Sequence, residues 1–203
     1  MSYSPGPTQS RQVMAFIDAQ HLRFRLKEYF GHDRIYIGQF VWQVLVRLAD
    51  FNIVHGEIVR SYFYDAKFID GDDRRKVQEE YFDHIRQSDY CEVRLGRLID
   101  APEGPRQKGV DVLMAIDMLG KAYENHYDIA VVLAGGDDFV DIIQAVRDAG
   151  KRVCGAYFDK NASPRLIGSF DRRLVLTKNV VKPFMLNEDW MTPEFPSAQI
   201  RYT

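Results

Sequence analysis

DIAVVLAGGDDFVDIIQAVRDAGKRVCGAYF, residues 128–158, decides the fold. Asp128 to Leu133 is the most apolar strand of the chain. A Gly-Gly turn follows, then a helix from Phe139 to Ala149 closed by Gly150, then the strand RVCGAYF. Strand, helix and strand in such close succession form a crossover between parallel strands. The same alternation extends outward. Upstream lie a helix from Val110 to Tyr123, the strand CEVRLGRLI ending near Ile99, a helix from the GDD at 71–73 to about Gln87, and a strand from Ile58 to Tyr64. Before these come helices over Gln39–Phe51 and Gln20–Tyr29 and the buried strand VMAFI at 13–17. APEGPRQKG, at 101–109, reads as a loop dense in Pro, Gly and charge. Downstream a short helix begins near Ser163, followed by a strand at LVLTK and a Pro-containing tail after Val180. The pattern predicts an α/β chain with three layers, a mainly parallel central sheet flanked by helices.

At 203 residues and 46% hydrophobic, the chain can bury one full core. We expect a flexible segment at 1–12, one domain at 13–179 and a tail at 180–203. A net charge of -2 argues against a histone-like basic protein but allows a local basic groove. Cys91 and Cys154 both sit in strand-like runs, which fits free thiols in a reducing, cytoplasmic compartment. The opening MSYSPGPTQSRQ has no apolar signal core, and no run approaches the roughly 20 apolar residues needed to span a bilayer, so no membrane association is expected.

Aspartates recur where strands give way to helices. Asp18 directly follows the first strand, Asp111 opens a helix, and Asp137 and Asp138 follow the Gly-Gly turn. In an open parallel sheet the carboxyl ends of neighbouring strands face one crevice, so these distant acids can become one cluster. Hard oxygen donors of this kind suit Mg²⁺ or Mn²⁺. Such a metal neutralises a phosphodiester and activates water. Each acid also has a plain structural use: Asp18 as a helix cap, Asp111 at a helix dipole, one of the Asp137/Asp138 pair in the turn. Asp117 lies six residues beyond Asp111, about 240° around a straight helix, and is expected to act structurally or behind the ligands. Asp141, one turn past Asp138, is expected on a solvated face or supporting the site from behind. Asp70, Asp72 and Asp73 lack the spacing of a calcium loop and read as a helix start.

FIDAQHL, RSYFYDA, LGRLI, KGVDVLMAIDML and VVLAGGDDFVDIIQAVRDAGKRV, in that order, resemble the NYN domain of the PIN-like nucleases, which includes a LabA-like group. The likeness runs from about Val13 to Phe158. It implies a PIN-like fold and a metal-dependent ribonuclease site built from Asp18, Asp111 and the acids after Leu133, with RNA as substrate. Two positions depart from the pattern. Family members commonly carry Asn three residues after the first aspartate, where this chain has His21, a group that can position water or substrate. The fourth motif is commonly Ser-Gly-Asp-x-Asp-Phe; aligned on Phe139, it puts Ala134 at the serine and Gly136 at the first aspartate. Either Asp137 fills that place or the site lacks a ligand. The chain is thus read as an endoribonuclease with catalytic Asp18, His21, Asp111 and Asp138 and metal ligands Asp18, Asp111, Asp137 and Asp138. The alternatives are a catalytically impaired RNA- or protein-binding module and a metal-dependent small-phosphoester hydrolase.

Arg94, Arg97, Arg106, Lys108, Lys151 and Arg152 are candidates for RNA phosphates, with Lys160, Arg165, Arg172 and Arg173 in the same basic stretch. Tyr62, Tyr64, Tyr157 and Phe158 read as core before they read as base-stacking groups. Phe40, Val41, Trp42, Val44, Leu45 and Val46 serve either the core or a homodimer contact.

Overall fold

The computed structural model of the chain describes residues 10–49, 56–67, 74–99, 106–160 and 162–186. Seven strands form one sheet: β1 (Arg11–Asp18), β2 (Gly56–Lys67), β3 (Cys91–Ile99), β4 (Arg106–Lys108), β5 (Ile129–Leu133), β6 (Arg152–Phe158) and β7 (Arg172–Leu176). Their order is β4-β3-β2-β1-β5-β6-β7, and every pairing is parallel except β3 with β4. The helices are α1 (Ala19–Phe30), α2 (Ile37–Ala49), α3 (Arg74–Arg86), α4 (Val110–Tyr123), α5 (Val140–Asp148), α6 (Pro164–Ser169) and α7 (Lys178–Val181). The expected three-layer α/β architecture with a mainly parallel central sheet is therefore the observed one.

The central strand shows why. Val13 to Ile17 are all buried, as a strand covered on both faces requires. Alternate residues feed different cores. Val13, Ala15 and Ile17 pack with Leu22 and Leu26 of α1, Phe40 of α2 and Phe82 of α3. Met14 and Phe16 pack with Met114 and Met118 of α4, Ile143 of α5 and Leu166 of α6. Tyr62, Tyr64 and Phe158 are core residues, and Cys154 is a buried free thiol.

Close packing reaches its limit at Gly155, where a methyl group would stand 2.0 Å from the Phe170 ring. Phe170 is itself buried against α5 and α6. We expect Gly155→Ala to lower the unfolding free energy by about 1–3 kcal/mol, read by urea denaturation, the usual cost of forcing bulk into a filled core.

Two sequence expectations change. The loop before α4 contains a strand: Arg106–Lys108 pairs antiparallel with Arg97–Ile99, capping the sheet edge. Its shortness and charge hide it from pattern reading. The chain beyond Val180 continues as a 3-10 turn at Lys182–Phe184 and returns to α2. There Tyr36 N–H donates to Phe184 O and Leu186 N–H to Arg34 O. In α2, Phe40, Val41 and Val44 enter the core while Trp42 is exposed, so intramolecular packing accounts for three residues of that apolar face. The side chains of Leu45 and Val46, and the acids at 70, 72 and 73, lie outside the described residues. Among the described residues no helix is long and apolar enough to cross a membrane.

Candidate metal and phosphodiester site

The parallel strands carry their acids to one end of the sheet. Asp18 is the last residue of β1 and caps α1, its Oδ1 accepting the His21 N–H at 2.8 Å. On the adjoining strand Asp18 stands beside Tyr64, and the next residue is Asp65. Asp111 lies in the first turn of α4, entered through Gly109 at φ 79, a left-handed conformation that favours glycine. Asp138 lies in the 3-10 turn Asp137–Phe139 after β5.

Electrostatics join these residues. Burial pushes the Asp18 carboxyl up to about 6, and the charges of Asp111 and Asp65 push in the same direction, against the His21 and Gln20 backbone donors. Asp111 is raised by burial and by Asp138. Asp18, Asp111 and Asp138 are thus linked by repulsion, the condition a bound cation relieves. Among the described residues no group of three or more His, Cys, Asp or Glu side chains is placed to hold a metal ion. Mg²⁺ keeps several waters and can be held by one or two carboxylates plus substrate oxygens. The donor set is all oxygen, as hard cations require.

His21 forms one wall. Its ring occupies the space a side chain at Gly135 would need, since a methyl group there would lie 2.0 Å from Cε1 and 2.5 Å from Nδ1. On another side the ring meets Phe158 edge-on at 6.1 Å. Burial, helped by Arg25, lowers the imidazole to about 4, so it is neutral at physiological pH and keeps one ring nitrogen as an acceptor.

The other candidates separate. Asp137 accepts a hydrogen bond from the Ser163 hydroxyl and lies 3.9 Å from Arg165, so it is engaged by the start of α6. Ser163 also accepts from the N–H groups of Arg165 and Leu166, capping that helix. Asp117 accepts from Tyr64 Oη at 3.0 Å and pairs with Lys121 and Arg94, the structural alternative for this acid. Asp141 is exposed in the first turn of α5. Arg94 is shared between Glu92 and Asp117 and lies over Tyr62. Arg97, Arg106 and Lys108 belong to the β3–β4 ladder, and their side chains lie outside the described residues. Lys151 and Arg152 do not join the acids. They stand at the amino end of β6, seven residues long, so about 20 Å of strand separates them from the acidic rim. Lys151 bonds Asn125 there and lies over Tyr127.

Asp65 is the acid sequence reading missed. It is 2% exposed, bonded to Arg23 at 3.1 Å and close enough to raise Asp18. Its signal was an aspartate ending the buried run SYFYDA. Arg23 also binds Asp33 at 2.9 Å and so ties α1 to the chain that follows it.

Gly136, at the place of the missing aspartate, has extended backbone (φ -94, ψ 154) that any residue adopts. A methyl group there would meet only Asp138, at 3.8 Å from Oδ2 and 4.0 Å from its backbone N. Gly136→Asp is therefore expected to fold normally and to tighten Mn²⁺ binding about tenfold or more, measured by calorimetry. Unchanged affinity would show that a carboxylate at 136 does not reach the ion.

A family model described as the NYN domain matches residues 12–177. No curated protein matches the chain. Among solved structures it is similar to a protein of unknown function from Vibrio parahaemolyticus RIMD 2210633, at 16% identity and TM-score 0.63. That likeness covers 90% of this chain and all of the other. At that identity it bears on the fold alone.

Proposed function

The chain belongs to the NYN domain family of the PIN-like superfamily, and on that premise we propose that it is a metal-dependent endoribonuclease acting through Asp18, Asp111 and Asp138. The order of its motifs supports the LabA-like group as its branch, and its free thiols support a cytoplasmic setting. One observation carries the reading. Three acids from different elements repel one another at the carboxyl end of a parallel sheet, with Asp18 held near 6.

A divalent cation at these carboxylates, Mg²⁺ or Mn²⁺, supplies the charge that admits a phosphodiester and acidifies the attacking water. The protein residues do the rest. Asp18 is locked by its capping bond, so its second oxygen is presented without rotamer freedom. Neutral His21 accepts a hydrogen from water and, wedged against Gly135 and Phe158, holds that water in one orientation. Asp65 keeps Arg23 on its own side, so that cation does not neutralise Asp18. Asp137 is a reserve ligand, available on leaving Ser163 and Arg165. In hydrolysis the water oxygen bonds to phosphorus as the water gives up a proton to solvent, the opposite P–O ester bond breaks, and the leaving oxygen takes up a proton from solvent.

Gly136 favours a second reading, a module that binds RNA without cutting it. Mn²⁺ calorimetry and cleavage of a mixed-sequence single-stranded RNA, on wild type and Asp111→Asn, separate the two. Binding and cleavage in wild type, with cleavage falling about 10²-fold or more in the variant, are expected. RNA binding with neither metal binding nor cleavage would establish the module. Turnover of small phosphoesters without cleavage of RNA would instead identify a small-phosphoester hydrolase.

A further inference from the structure

Two lysines leaving the carboxyl ends of adjacent strands meet over one buried tyrosine. Lys160 lies two residues beyond β6, and Lys178 opens α7 two residues beyond β7. Each ammonium lies 5.7 Å from the centre of the Tyr29 ring. Both lysines are exposed, and among the described residues neither has an acidic partner. Tyr29 is 6% exposed, and its hydroxyl has no hydrogen-bond partner among the described residues. Two like charges over one ring, without a counter-ion, make a site for an anion that bridges them.

The pair is coupled in space to the acidic site. Tyr29 meets Phe158 edge-on at 5.5 Å, and Phe158 meets His21 at 6.1 Å. The other described cations near that site are already engaged: Arg94 and Lys121 by Asp117, Arg165 by Asp137 and Arg23 by Asp65. Lys151 and Arg152 are at the opposite end of β6.

We propose that Lys160 and Lys178 form a phosphate clamp for single-stranded RNA, holding the backbone a few nucleotides from the bond at His21 and Asp18. A phosphodiester would bridge the two ammoniums, each of which lies over the Tyr29 ring. Lysine is suited to this role because it acts as a point charge and asks for no base identity. The clamp selects a strand over a small phosphoester. Its place along a substrate rests on the nuclease reading, whereas its grip on RNA does not.

The test is salt-dependent binding of a fluorescent oligouridylate in chelator, followed by anisotropy, for wild type and Lys160→Gln/Lys178→Gln. Two single-strand phosphate contacts at about 0.7 each predict that the slope of log K against log salt falls by about 1.4. Lys76→Gln/Lys182→Gln, exposed lysines on α3 and after α7, should leave the slope unchanged. An unchanged slope in the first variant, an equal loss in the second, or no RNA binding by wild type overturns the clamp. RNA that binds with the predicted slopes but is not cut on adding Mn²⁺ removes the nuclease reading and leaves the clamp standing.

Discussion

Asp18→Asn is expected to cost at least about 10³-fold in RNA cleavage while making the metal-free protein more stable above pH 6. The two effects share one cause. Asparagine keeps the capping bond to His21 N–H, because it is as good a helix cap as aspartate, but it carries no charge. In the wild type the folded carboxyl titrates at about 6, against 3.8 in the unfolded chain, mainly because it is buried. Between those values the folded state binds more protons at Asp18, so this group's contribution to stability falls as pH rises from about 4 to about 6, opposite in sign to that of His21, whose lowered imidazole is common to wild type and variant. The gap between the folded and unfolded titrations corresponds to at most about 3 kcal/mol. Urea denaturation in chelator should therefore show variant and wild type converging near pH 4 and separating by up to that amount at pH 8. Added Mn²⁺ should stabilise wild type and leave Asp18→Asn nearly unaffected. A stability difference between variant and wild type that does not grow from pH 4 to 6 in chelator would refute the buried carboxylate.

Gly135→Ala is expected to lower kcat about 10²-fold and unfolding free energy by about 1–3 kcal/mol. The new methyl group would occupy the His21 ring position, 2.0 Å from Cε1. The ring cannot retreat toward Phe158, which already meets it edge-on. The Asp18 cap uses only the His21 backbone, so metal affinity should survive. A double-mutant cycle isolates the contact. With His21→Ala in the same chain, stability should recover while activity stays low, a coupling of the size neighbouring residues show. If Gly135→Ala alone keeps wild-type kcat, His21 does not position the reacting groups.

Much of this follows from local chemistry. The Gly-Gly turn between an apolar strand and an amphipathic helix announced the crossover at 128–158, and α4 begins and ends where the apolar spacing from Val110 to Tyr123 placed it. Asp18, Asp111 and Asp138 were legible because each ends or follows a regular element, and parallel strands bring such ends to one side. β4 was hidden because three charged or polar residues pair through their backbone, which leaves no side-chain pattern. Lys151 and Arg152 looked like binding residues because sequence proximity to the acidic turn ignores strand direction; the parallel course of β6 carries them to the other end.

The sequence by itself determined most of the elements, their mainly parallel arrangement and three of the acids at their ends, since periodicity, caps and turns act over a few residues. Tertiary structure alone decided which charges are spent. Asp117 went to Tyr64, Lys121 and Arg94, Asp137 to Ser163 and Arg165, and Asp65 to Arg23. It also decided that His21 fits only because position 135 has no side chain. Charge pairing and steric exclusion depend on atoms many residues apart along the chain, and only the folded sheet and its helices set those distances.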